Sequence, residues 1–134
     1  MTLGSQDRRK WHIGLRYALN GFRVAVLTER NIKIHLIAAI LVISAGLFFS
    51  ITVIEWAILC LAISSVIGME MMNTAIERAL DHLEPKQVKQ IGVAKDLAAA
   101  AVLVMAVFAV VIGCIIFIPK VITVFSTGTI AFFM

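Results

Sequence analysis

At 134 residues, 61% of them hydrophobic, and with a mean hydropathy of +1.01, the chain is too apolar to be a soluble domain, whose surface must be largely polar. Its net charge of +4 comes from residues flanking the apolar runs, so the matching negative charge is anionic lipid headgroups and not nucleic acid. Cys60 and Cys114 both lie inside apolar runs and read as small hydrophobes, not as a disulfide or metal pair.

The first element expected is an amphipathic surface helix over 8–27. Arg9, Arg16, Arg23 and Arg30 recur every seven residues and form one basic stripe, opposite Trp11, Leu15, Ala18, Phe22 and Val26. Such a helix can lie in the headgroup region with its apolar face down, either as part of a site or as a plain basic anchor. Arg8, Arg9 and Lys10 are followed by a mixed segment, not by a short apolar core, so a signal peptide is not expected.

Uncharged runs then occupy 36–54, 56–69 and 97–118. A hydrocarbon core of about 30 Å needs about 20 helical residues. The first and third runs suffice, and the second continues in pattern past Glu70 through Met71, Met72, Ala75 and Ile76. Transmembrane helices are expected over about 32–52, 54–76 and 97–118, giving an all-α integral membrane protein. No strand-like alternation supports a barrel. Pro85 ends the second pattern, 83–92 reads as a polar loop, and Pro119 with Lys120 closes the third span. Residues 1–120 thus form one membrane domain, followed by an apolar C-terminal tail over 121–134 with no assignable role. Of the 12 Lys and Arg, all but Lys120 lie before the first span or between the second and third. That asymmetry places the N-terminus and the 78–96 segment in the cytoplasm of a multi-pass protein of the cell membrane.

The segment from Glu70 to Asp81 carries the chemistry. At about 100° per residue, Glu70, Asn73, Thr74, Glu77 and Asp81 fall within about 100° of the helical wheel. A polar stripe therefore descends into the membrane with Glu70 deepest. A charge there costs about 2.5–3.5 kcal/mol on insertion scales, so it needs a purpose or a partner. The bland alternative is an ion pair joining helices, with Lys95 or an Arg. Glu29, at the mouth of the first span, and Lys95 with Asp96, at the mouth of the third, are expected to converge on the stripe. Phosphoryl transfer needs this mixture: carboxylates for a metal, a cation for phosphates and a base for the attacking hydroxyl. No Gly-rich phosphate loop or zinc spacing is present. The spacing alone leaves a proton-coupled transporter using Glu70, or a structural membrane peptide, open beside a kinase.

Glu70-x-x-Asn73-Thr74-Ala75-Ile76-Glu77, with Ala94-Lys95-Asp96-Leu97-Ala98-Ala99 further on, resembles the prokaryotic diacylglycerol kinase family. The resemblance covers about residues 10–120. Thr28-Glu29-Arg30-Asn31 with His35, Ile54-Glu55-Trp56 and Ile115-Ile116-Phe117-Ile118-Pro119-Lys120 are similar to its undecaprenol kinase branch. The resemblance implies a homotrimeric three-span lipid kinase using ATP and Mg²⁺ on a lipid alcohol. Undecaprenol is the favoured substrate, yielding undecaprenyl phosphate, and diacylglycerol, yielding phosphatidic acid, is the alternative. It also implies Glu70 as catalytic base and Glu29 and Glu77 as Mg²⁺ ligands. Lys10, Tyr17, Lys95 and Asp96 are implied as nucleotide contacts, and Asn73 as an organiser of the site. Lys10 departs from the family, which often has Arg there. His35 departs from the diacylglycerol branch, which tends to carry Glu. Ala100 stands where Gly is common, and the tail after Lys120 has no counterpart in the family.

Overall fold

A computed structural model describes residues 4–84 and 88–132, with side chains placed over 14–84 and 88–126. The described residues form four helices: α1 (Gly4–Thr28), α2 (Arg30–Phe48), α3 (Val53–Leu83) and α4 (Lys89–Phe132). Three stretches are long and apolar enough to cross a membrane: Arg30–Phe48, Val53–Leu83 and Lys89–Ser126. Few side chains are buried within one chain. Leu41, Leu61, Leu103 and Phe108 all point outward, the reverse of a water-soluble fold.

Glu29 is the only residue between α1 and α2, and its extended backbone (φ −94°, ψ 125°) breaks the helix there. The exposed last turn of α1 is satisfied locally: Lys33 donates to the Leu27 carbonyl at 3.0 Å and the Thr28 hydroxyl to that of Val24 at 2.9 Å. Although Glu29 occupies the N-cap position of α2, its side chain makes no cap bond.

The α2–α3 turn is tight. Ser50 takes a left-handed backbone (φ 50°), which costs a non-glycine residue about 1–2 kcal/mol. Thr52 then starts α3 with a reciprocal cap, its side chain accepting from the Glu55 N–H while Glu55 accepts from the Thr52 N–H at 2.7 Å. Close packing requires a glycine at position 46, where a Cβ would stand 2.8 Å from Cη2 of Trp56. The adjoining core is Ile51, Leu59 and Ile116, with Val42, Phe49, Trp56 and Phe117 packed around it. Lys120 closes this end through an ion pair with Glu55 at 3.1 Å.

Two helix ends differ from expectation. α4 begins at Lys89, almost two turns before Lys95, because nothing in 89–94 beyond Gly92 opposes a helix. It also runs through Pro119 instead of ending there. A proline removes one backbone bond, a loss that membrane helices tolerate. The residues after Lys120 are apolar and contain no breaker before Gly128.

Candidate active site

The polar stripe lies on α3, and its outermost member, Asp81, is tied to α4. Glu70 is 3% exposed, Asn73 7% and Thr74 8%, the buried polar residues of the described chain. The Glu55–Lys120 pair marks one rim of the apolar slab. Measured along α3 from Glu55, Glu70 stands about 22 Å away and Glu77 about 33 Å away, at 1.5 Å per residue. Against a slab of about 30 Å, Glu70 lies inside the far rim and Glu77 at it.

Asn73 bonds one carboxylate of the stripe, Glu77, one turn further along α3. Its Nδ2 donates to Oε1 of Glu77 at 3.0 Å. The reverse amide orientation would set Oδ1 against a carboxylate oxygen, so chemistry fixes the assignment. Oδ1 is then buried with no hydrogen-bond donor. A buried acceptor left unmet costs about 1–3 kcal/mol, so it points to a ligand that would satisfy it.

Glu29 reaches the same end of α3 from the α1–α2 break. Arg78 donates to its Oε1 at 2.6 Å and also to the Thr28 hydroxyl. This guanidinium holds the Glu29 carboxyl below the usual range. Thr28 and Lys33 add to the effect, and partial burial opposes it. Because Arg78 follows Glu77 directly, the tie brings Glu29 to the rim where Glu77 stands. Lys95 pairs with Asp81, joining α4 to the outermost position of the stripe. Helix-joining ion pairs, the alternative expected for Glu70, form instead at Asp81 and Glu29. Among the described residues none forms at Glu70, whose carboxylate has no cation or hydrogen-bond donor beside it.

Other expected site residues stand apart within one chain. Tyr17 is 71% exposed on α1, beside a shallow hollow of about 590 Å³ flanked by Arg16, Asn20 and Arg23. Asp96 is exposed about two turns into α4. The backbone at Lys10 lies in α1, and its side chain falls outside the described residues. Sequence reasoning gave no role to Arg78 or Asp81 as holders of Glu29 and Lys95. For Asp81 a signal existed, its place on the stripe; for Arg78 there was none.

The donor set suits a hard divalent cation. Glu77 and Glu29 offer carboxylate oxygens, and Asn73 offers a buried amide oxygen with no other partner. Among the described residues no three acidic, His or Cys side chains cluster. Mg²⁺ needs no such cage, since it is held by one or two carboxylates together with substrate phosphates.

Comparison with known proteins agrees with this geometry. Residues 16–117 match the prokaryotic diacylglycerol kinase family, spanning Glu29, the whole stripe and Lys95–Asp96. Undecaprenol kinase of Bacillus subtilis is 39% identical over 104 residues, 78% of this chain and 85% of that protein. Diacylglycerol kinase of Synechocystis is 34% identical over 108 residues, 80% and 62% of the two chains. The Escherichia coli diacylglycerol kinase is 28% identical over 100 residues, 75% and 82%. A membrane-depth carboxylate, a rim of acidic and basic groups, and a match across the whole of both motifs converge on one conclusion: the chain belongs to the prokaryotic diacylglycerol kinase family and is a membrane lipid kinase served by a nucleotide phosphoryl donor.

Proposed function

We propose that the chain transfers the γ-phosphoryl group of ATP to undecaprenol, giving undecaprenyl phosphate, on the cytoplasmic face of the bacterial cell membrane. The observation that carries the choice of lipid is a groove of about 510 Å³ running away from the stripe between α2, α3 and α4. Ala62, Val66, Ile67, Ala109 and Phe117 are among its walls, and His35 is the one polar ring among them. Val66 and Ile67 lie one turn below Glu70, so a lipid whose hydroxyl meets Glu70 lays its chain there. Isoprene units need only apolar contact. Ester carbonyls would lose water without gaining donors, at about 1–3 kcal/mol for each unmet bond.

In this reading Glu70 accepts the proton of the lipid hydroxyl as its oxygen attacks phosphorus. Glu29 and Glu77 hold Mg²⁺, and Asn73 fixes Glu77 through its Nδ2. Bound there, Mg²⁺ would neutralise charge developing on the transferred phosphoryl group. Lys95 and Asp96, with Tyr17 and Lys10 of α1, bind the nucleotide. Lys95 exchanges Asp81 for phosphate when it does so. Tyr17 and Asp96 are both exposed within one chain. This supports an assembly, a homotrimer by the family resemblance, in which neighbouring subunits complete each site. The basic residues at the stripe end support a cytoplasmic site.

The test offers undecaprenol and diacylglycerol with MgATP in matched micelles. The expected kcat/KM for undecaprenol is about tenfold higher or more, the equivalent of one unmet hydrogen bond. A preference for diacylglycerol overturns the choice of lipid and leaves the kinase. Absence of turnover with both lipids overturns the assignment of the site.

A further inference from the structure

The family match ends at residue 117, yet α4 continues to Phe132. From Asp96 to Lys120 the helix already rises about 36 Å, more than a hydrocarbon slab of about 30 Å. The Glu55–Lys120 pair independently marks the rim on α3. A straight helix would therefore push a further 18 Å or so beyond the slab. That segment has no charged residue from 121 to 134. Its side chains Ile122 and Val124 are 61% and 53% exposed in the isolated chain. A helix apolar on all sides is stable only when covered on all sides.

The described hydroxyls of the segment, those of Thr123 and Ser126, are satisfied within it. Thr123 donates to the Pro119 carbonyl at 2.9 Å, and Ser126 to that of Ile122 at 2.9 Å. Neither hydroxyl needs water. Pro119, lacking an N–H toward Ile115, leaves a weak point at the rim where the axis can turn.

We propose that α4 turns at Pro119 and that the following helix lies within the apolar part of the leaflet opposite the active site, with lipid acyl chains as its partner. The segment continues the lipid-facing surface of α4, and its internal hydrogen bonds match a solvent that offers none. It anchors α4 at the face away from catalysis. The proposal rests on the depth of Lys120 and not on the identity of the kinase substrate.

The test attaches a nitroxide at Val124→Cys in the full chain carrying Cys60→Ala and Cys114→Ala, reconstituted in phosphatidylglycerol–phosphatidylcholine vesicles. Ile122→Cys serves as a second site should Val124→Cys fold poorly. Labels at Val110→Cys in the span and Gln90→Cys on the first turn of α4 give the lipid and water references. Collision with oxygen relative to a water-soluble nickel chelate should be several-fold higher at 124 than at 90, and close to that at 110. A ratio like that of position 90 overturns the proposal. So does shielding from both reagents with spin–spin broadening that vanishes on dilution with unlabelled chain, which would identify a second copy as the cover.

Discussion

Arg78 and Glu29 are 49 residues apart in sequence and 2.6 Å apart in space, and their bond fastens the α1–α2 break to α3. The guanidinium also takes the Thr28 hydroxyl, so it grips the last residue of α1 and the only residue between the helices. The Arg78 bond falls on Oε1 of Glu29, and the Thr28 hydroxyl, shared with the Val24 carbonyl, lies 3.0 Å from the same oxygen. Arg78 thereby fixes the direction of the carboxylate as well as its position.

That bond should show in the pH dependence of stability. Glu29 ionises below the ordinary value of 4.5, chiefly through Arg78, so the folded chain binds fewer protons there than the unfolded one. The contribution is complete above pH 4.5 and fades as the pH falls through the lower folded value. Thermal unfolding in detergent should find Arg78→Gln less stable than the parent by about 1 kcal/mol or less at neutral pH, as for a partly exposed pair. The gap should close in acid; a gap that persists in acid would show that Arg78 acts through some other contact.

Glu70→Gln keeps the size of the side chain and removes the proposed base. Turnover should fall by about 10²–10⁴. Nucleotide affinity, read by equilibrium binding, should hold, because Glu70 lies deeper than the rim groups. Normal turnover in the pure variant would remove Glu70 from the mechanism.

Glu29→Gln and Glu77→Gln should each shift the Mg²⁺ titration of activity to higher concentration or abolish activity. Mn²⁺ binding followed by electron paramagnetic resonance should weaken in parallel, a readout independent of turnover. Unchanged titrations in both variants would place the metal elsewhere.

Gly46→Ala tests the far end of the molecule. A methyl there meets the Trp56 ring at 2.8 Å, an overpacking worth about 1–3 kcal/mol against at most about 1 kcal/mol gained from helix propensity. Thermal unfolding should show a net loss of about 1–2 kcal/mol. Pairing the change with Trp56→Leu should recover most of it.

What the sequence disclosed depended on whether one helix contained the whole signal. Glu70, Asn73, Thr74 and Glu77 are readable as one stripe because a single periodicity relates them, and the first three are buried. The three apolar helices were readable for the same reason, since length and composition are local properties. Arg78 was not, because its partner lies on another element and no spacing rule joins positions 29 and 78. The extent of α4 was misread because proline was given its weight for water-exposed helices. In an apolar segment the alternatives to helix leave backbone groups unsatisfied, and that cost exceeds one lost bond.

The pairs Glu55–Lys120 and Asp81–Lys95 link the same two helices near opposite ends. The stretch between them rises about 39 Å on α3 and about 37 Å on α4, so the two rails match in length. Helices cross-linked like a ladder cannot slide past one another without straining both rungs together. A thinner or thicker bilayer must then be met by tilting the pair as one body, which swings the depth of Glu70 with it.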